Sequence, residues 1–156
     1  MLRLLERLLM GVLATLVVAM VVSVTWQVLS RYLFVVPAAW TEELARFLLI
    51  WIGMLGAAYA YRTHSHLGLD LLPAKLTGTR KVALNVLTHV LCLGFAAAVL
   101  VVGGGSLVAM TWELKQYSAA MGLPIAYVYS VIPLSGALIC LFALAAMFDR
   151  SVGGES

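Results

Sequence analysis

The stretch LLMGVLATLVVAMVVSVTWQVLS, residues 8–30, contains no charged side chain and decides the class of fold. A helix needs about 20 mostly apolar residues to cross the roughly 30 Å hydrocarbon layer of a membrane. The stretch is also longer than the apolar region of a secretory signal peptide and lacks a convincing small-residue cleavage site. We therefore expect it to be retained as a membrane-spanning helix.

Three further apolar segments follow in a chain of 156 residues that is 63% hydrophobic and 11% charged. The segments lack the alternating pattern of a membrane barrel, and open strands would leave backbone groups unsatisfied in lipid. The predicted fold is therefore all-α and integral to the membrane, with spans at residues 8–31, 41–61, 82–111 and 125–148. Because these spans use nearly the whole sequence, we expect one membrane domain, residues 1–156, without a soluble catalytic domain.

Lys and Arg residues are distributed unevenly between the two ends of the predicted spans. One side carries Arg3, Arg7, Arg62, Lys75, Arg80, Lys81 and Arg150, and the other carries Arg31, Arg46 and Lys115. By the positive-inside rule, both termini and the middle loop are cytoplasmic, while the first and third loops face outward. The net charge of +3 reflects this orientation, and no nucleic-acid partner is indicated.

Two connections have compositions that suit the membrane surface. The middle loop, residues 64–81, mixes several leucines with acidic and basic side chains, which predicts a short in-plane helix interrupted at Pro73. The third loop, residues 112–129, combines four aromatic side chains with Gly122 and Pro124, as expected of an aromatic belt with a turn.

The most specific stretch is Trp40-Thr41-Glu42-Glu43-Leu44-Ala45-Arg46, at the start of the second span. Only about 22 Å of uncharged helix follows it, so a full crossing draws Arg46 into the outer edge of the membrane. Glu42 and Glu43 precede Arg46 by four and three residues, which brings all three side chains within reach on one helix. Arg31 ends the preceding span at a similar depth and is a fourth candidate member of this charged cluster.

Three interpretations of the charged cluster are open. It is a network that locks the first two helices together, because buried charges need partners. It is also compatible with a docking site presented to another protein. An ion or proton relay is disfavoured, because no carboxylate lies near the centre of any predicted span.

The sequence resembles a known family in several short motifs spread over most of the chain. They are Arg31-Tyr32, the Trp40 to Arg46 run, Trp51, Gly56-Ala57, Arg62 with His66, Leu72-Pro73, Gly122-Leu123-Pro124 and Ile132-Pro133. These residues resemble the small, DctQ-type membrane subunit of tripartite ATP-independent periplasmic (TRAP) transporters.

The resemblance implies a four-helix protein of the bacterial inner membrane that is not an enzyme and carries no cofactor or metal. It would pair with a large elevator-type subunit that holds the substrate and sodium sites, while a periplasmic binding protein delivers an organic acid. Membrane lipids are further partners. The interface or structural cluster would comprise Arg31, Tyr32, Trp40, Glu42, Glu43 and Arg46, with Arg62 and His66 in the interfacial loop.

Small residues on the second helix form a candidate packing face. Gly53, Gly56 and Ala60 lie on adjacent turns and would permit close helix approach. The partner on this face is either another membrane protein or a helix of the same chain, and both alternatives are open.

Two other classes of protein fit the sequence less well. A haem-bearing membrane anchor of a quinone oxidoreductase needs two histidines at matching depth, but only His89 lies well inside a span. A self-sufficient exporter needs an ionisable residue within its bundle, and the first helix has none between Arg7 and Arg31. A structural protein of some other complex leaves the Trp40 to Arg46 run unexplained.

Overall fold

The computed structural model describes residues 2–33, 39–63 and 79–152. His66, Pro73 and most of the predicted interfacial segment lie outside the described residues. Within them the chain is helical, with one isolated antiparallel bridge between Tyr117 and Pro124. The helices are α1 Leu2–Leu33, α2 Ala39–Arg62, α3 Thr79–Phe95, a π-helical segment Ala96–Gly103, α4 Gly104–Glu113, α5 Ile125–Tyr129 and α6 Val131–Val152.

Four stretches of the described helices are long and apolar enough to cross a membrane. They are Leu4–Leu33, Ala39–Arg62, Leu87–Glu113 and Ile125–Ala146. The predicted all-α class with four membrane-spanning helices is therefore confirmed. The cytoplasmic location of the termini, the interfacial segment and the single-domain organisation stay predictions.

Contacts divide the chain into two compact units, each made of two stretches of sequence. The first unit comprises Met1–Gly56 with Ser106–Val131, and the second comprises Ala57–Gly105 with Ile132–Ser156.

In the first unit, α1 buries only a narrow stripe of its surface. Leu9, Ser23 and Ser30 are buried and separated by multiples of seven residues, so they lie on one helix face. The Ser23 hydroxyl donates a hydrogen bond to the carbonyl oxygen of Thr41, over 3.4 Å, which joins α1 to the first turn of α2. Large apolar side chains such as Val18 and Val22 remain exposed, so lipid or another membrane protein must cover the rest of the helix.

In the second unit, two glycines allow very close helix approach. A Cβ atom built on Gly136 of α6 would lie 2.6 Å from the Cβ of Leu100 in the π-helical segment. A Cβ atom built on Gly104 would lie 2.7 Å from the Cγ2 of Ile132. Both distances are shorter than any relaxed carbon–carbon contact, so each position requires the absence of a side chain.

The predicted fourth helix differs from expectation near Pro133. A single span over residues 125–148 was expected, whereas the structure has α5 and α6 with Ser130 between them. Pro133 therefore falls in the first turn of α6, where backbone N–H groups have no partner within the helix, so the missing N–H costs little. The Ser130 N–H still donates to the carbonyl oxygen of Ala126, over 3.0 Å, which closes the end of α5.

We expect Gly136→Ala to lower the stability of the protein by about 1–3 kcal/mol, because the added methyl overlaps Leu100 in a packed region. Gly105→Ala is the matched control, since its Cβ would meet nothing within 4 Å. Thermal unfolding of the detergent-solubilised protein measures both. Equal melting temperatures for the two variants would contradict the close packing of Gly136.

Candidate functional site

The charged cluster begins in the first turns of α2. The helix starts at Ala39, and Glu42 lies in its first turn, where an acidic side chain interacts favourably with the helix dipole. Thr41 is fully buried, which fixes this end of α2 in the packed part of the first unit. The side chains of Glu42 and Glu43 then project from neighbouring positions of the same turn, but they have different partners.

Glu43 binds the connection between α4 and α5. Its carboxylate accepts hydrogen bonds from the backbone N–H groups of Ala119 (3.2 Å), Ala120 (2.9 Å) and Met121 (3.1 Å). It also accepts a short hydrogen bond from the hydroxyl of Ser118. Successive backbone N–H groups that converge in this way form an anion-binding nest, and here the anion is a side chain of the same protein.

The connection between α4 and α5 is closed by its own backbone hydrogen bonds. The N–H of Ser118 donates to the carbonyl oxygen of Leu123 over 2.8 Å, and the N–H of Ile125 donates to that of Gln116 over 3.0 Å. Gly122 adopts a φ of 66°, a conformation that glycine accepts without strain. Glu43 therefore holds a folded turn, residues 118–122, against the start of α2.

Glu42 and Arg46 form a separate ion pair. Their nearest nitrogen and oxygen atoms are 3.7 Å apart, in the i,i+4 relation, and both side chains are about two-thirds exposed, at 66% and 68%. In water a helical pair of this kind contributes about 0.3–0.5 kcal/mol. The pair therefore adds little to the stability of the chain, and both charges remain accessible.

The other residues of the predicted cluster lie apart from Glu43. Tyr32 is 80% exposed and Trp40 is 46% exposed. Arg31 is also exposed, and within the described residues no ion pair joins it to either glutamate. Whether these residues contact another subunit stays a prediction.

The predicted packing face on α2 is open among the described residues. A Cβ atom on Gly53 or Gly56 would meet none of their atoms within 4 Å, and Ala60 is half-buried. The buried side chains of α2 are instead Leu55, Ala58 and Tyr61, on another face.

Polar groups of α2 and α3 also meet near the end of α2. The Tyr61 hydroxyl and the Nδ1 atom of His89 are 2.7 Å apart, and their rings pack edge to face. This is an interhelical hydrogen bond. Arg62 is half-buried at the end of α2, while His66 lies outside the described residues.

The fold and the cluster together define a small, multi-pass membrane protein with four apolar helices. Among its described residues there is no group of three or more side chains that could hold a metal ion. The particular family follows from comparison with known proteins. Residues 20–153 match the DctQ component of the tripartite ATP-independent periplasmic transporters, and the chain belongs to this family.

Several bacterial proteins are similar to the chain. It is 30% identical over 121 residues to the C4-dicarboxylate TRAP transporter small permease protein DctQ of Rhodobacter capsulatus, covering 74% of this chain and 51% of the relative. It is 31% identical over 88 residues to the sialic acid TRAP transporter small permease protein SiaQ of Vibrio cholerae, covering 56% of this chain and 51% of the relative.

A third relative is much longer. The isethionate TRAP transporter permease protein DctMQ of Oleidesulfovibrio alaskensis is 31% identical over 133 residues, which cover 79% of this chain and 20% of the relative. The chain thus spans about half the length of DctQ and SiaQ and a fifth of DctMQ.

Family membership confirms several expectations. The chain is a TRAP small permease homologue, a multi-pass protein of the bacterial inner membrane, and not an enzyme. The alternative of a haem-bearing anchor finds no support in these comparisons.

We expect Glu43→Ala to loosen the turn at residues 118–122, because three backbone N–H groups and a hydroxyl lose their acceptor. Hydrogen exchange of the Ala119, Ala120 and Met121 amides should become several-fold faster. Glu42→Ala is the control, since it removes a neighbouring carboxylate that does not contact the turn. Unchanged exchange in Glu43→Ala would show that the turn does not depend on this carboxylate.

Proposed function

We propose that the chain is the small accessory subunit of a TRAP-type secondary transporter. It pairs with a large, elevator-type membrane subunit and supports sodium-coupled uptake of an organic acid that a periplasmic binding protein delivers. The observation that carries the proposal is the family match over residues 20–153. Pairing, coupling and delivery rest on the resemblance of the sequence to that family.

The long relative supports pairing with a large subunit. The region similar to this chain makes up 20% of DctMQ, so in that permease it is joined to a much longer stretch of polypeptide. A covalent link raises the local concentration of two regions but makes no new contact between them. The fused relative therefore supports binding between the corresponding regions when they are separate chains.

An organic acid is the solute class that the relatives' names support. They name C4-dicarboxylate, isethionate and sialic acid, which are different acids. The resemblance to the family assigns the substrate site to the large subunit, and in this chain the carboxylates of Glu42 and Glu43, at the start of α2, are already engaged. The specificity therefore belongs to the partner chains.

The exposed surface of the chain suits a scaffold role. α1 leaves most of its apolar surface uncovered, and the small residues of α2 have open space over them. In lipid, close packing between helices stabilises association, and small residues allow it. The large subunit would cover the face that carries Gly53 and Gly56, while Arg31, Tyr32 and Arg46 lie at the membrane edge beside it.

The direct test is to extract the tagged chain from native membranes in mild detergent and identify the proteins that co-purify. We expect a stoichiometric, haem-free, large polytopic subunit. Glu43→Ala and Arg46→Ala should lower uptake by reducing recovery of this complex, and Arg31→Ala should weaken the complex more than His64→Ala. Recovery of redox subunits with a haem absorbance band would overturn the proposal. Full complex yield and full uptake in both the Glu43 and Arg46 variants would overturn the assigned role of the cluster.

The packing face can be tested separately. Gly56→Leu should leave the melting temperature of the isolated chain unchanged, because a Cβ atom at this position points into open space among the described residues. It should reduce co-purification of the large subunit if that subunit covers the face. Gly11→Leu on α1 is a matched control, since its Cβ also has open space. A complex yield that is unaffected by Gly56→Leu would place the interface elsewhere.

A further inference from the structure

A cleft lies where α4 ends and the chain turns toward α5. Its volume is about 170 Å³, and its lining residues are Thr111, Trp112, Lys115, Gln116, Tyr117 and Pro124. A water molecule occupies about 30 Å³ of liquid, so the cleft has room for a group of several heavy atoms. The walls are fixed by backbone hydrogen bonds, including those from Gln116 to Thr111 and from Ile125 to Gln116.

The position of the cleft at the end of an apolar span indicates the depth of lipid headgroups. The apolar span Leu87–Glu113 ends beside it. Trp112 is 57% exposed and packs edge to face on Tyr127, with ring centroids 5.7 Å apart. Exposed Trp and Tyr side chains at the end of a span mark the boundary between hydrocarbon and water. The ligand most available at this depth is therefore a phospholipid.

Lys115 gives the cleft its charge. Of the six residues that line it in the described structure, Lys115 alone is ionic. Its backbone has a φ of 48°, at the position after a helix where glycine is usually found. The N–H groups of Lys115 and Gln116 donate to the carbonyl oxygens of Trp112 and Thr111, which is the hydrogen-bond pattern of a Schellman motif. A lysine therefore occupies a place where glycine would avoid backbone strain.

The end of a helix normally repels an anion, because its last carbonyl groups carry partial negative charge. In this chain the carbonyl oxygens of Met110, Thr111 and Trp112 already accept backbone hydrogen bonds from residues 114–116. Glu113 is the nearest carboxylate in sequence and does not line the cleft. The side-chain donors of the lining are the ammonium group of Lys115, the indole N–H of Trp112, the amide of Gln116 and the hydroxyl of Tyr117, while the Thr111 hydroxyl donates to the carbonyl oxygen of Leu107.

We propose that this cleft binds the anionic phosphate of a phospholipid headgroup from the membrane leaflet that meets the end of α4. Lys115 and the neighbouring donors hold the phosphate, while Trp112 and Tyr117 contact the glycerol and upper acyl region. The site depends on the membrane location of the chain and not on its proposed role in transport. Failure of the co-purification test would therefore not contradict lipid binding at the cleft. Failure of the lipid-binding test would not contradict the role in transport.

Native mass spectrometry of the purified chain, titrated with phosphatidylglycerol in detergent, tests the site. Lys115→Gln should weaken lipid binding by about tenfold, the effect of losing one charge-assisted hydrogen bond. Lys115→Arg should retain binding. Lys115→Gly should also weaken it, while the melting temperature without added lipid stays equal or rises, which separates lost binding from lost folding.

Arg31→Gln is the control for general attraction between cations and anionic lipid, because Arg31 is exposed at the end of α1 and does not line the cleft. The proposal is overturned if Lys115→Gln binds phosphatidylglycerol as tightly as the unaltered protein, or if Arg31→Gln loses as much affinity. Displacement of the lipid by millimolar inorganic phosphate would also overturn it, since the cleft would then be a site for a free anion.

A photo-crosslinking group identifies the occupant in intact membranes. Replacing Tyr117 by p-benzoylphenylalanine places the reactive ketone in the lining of the cleft. Irradiation should yield a product heavier by the mass of one phospholipid. A crosslink to a protein in place of lipid would overturn the proposal and identify the cleft as part of a subunit interface.

Discussion

A peptide N–H group at the edge of a membrane must find a hydrogen-bond acceptor within the protein or in the thin layer of interfacial water. The turn at residues 118–122 meets this constraint through one side chain, because the carboxylate of Glu43 accepts hydrogen bonds from three of its consecutive backbone N–H groups. The position of the turn relative to α2 depends on this contact. The adjoining segment from Gln116 to Ile125 is closed by backbone hydrogen bonds of its own and is joined to α4 by the hydrogen bond from Gln116 to Thr111.

The two glutamates of the Trp40 to Arg46 run illustrate what a sequence reveals about such a site. The Glu42–Arg46 pair follows from helical spacing alone, since residues four apart face each other on any helix. The partners of Glu43 could not be predicted in this way. Apart from the Ser118 hydroxyl, they are backbone N–H groups at positions 119–121. Every residue except proline has such a group, so no side-chain pattern predicts which ones Glu43 binds. The motif Gly122-Leu123-Pro124 indicated a turn but not its acceptor.

The fold likewise combines features that the sequence predicts with features that depend on packing. Long uncharged runs predict four spanning helices because a membrane imposes their length, and the structure has them. The π-helical segment lies in the second unit, where Gly136 and Gly104 remove the side chains that would separate the backbones. Gly103, Gly104 and Gly105 follow one another in the third span, and the π-helical segment ends at the first of them. A run of glycines indicates that the backbone deviates from a regular α-helix. Whether the deviation is a bend or a π-helical segment depends on how neighbouring residues pack.

The charged residues at the start of α2 and the end of α1 thus fall into two groups, one bound within the chain and one exposed. Glu43 is engaged by the turn, so an external partner would have to compete with the hydrogen bonds from Ser118 and from the N–H groups of residues 119–121. Glu42 and Arg46 form an exposed pair of low energy, and Arg31 is exposed without an ion pair among the described residues. Either residue of a weak, exposed ion pair can bind a different partner at little cost, because the interaction free energy of the original pair is small. An interface with another subunit is therefore more compatible with Arg31, Glu42 and Arg46, while Glu43 supplies the rigid turn beside them.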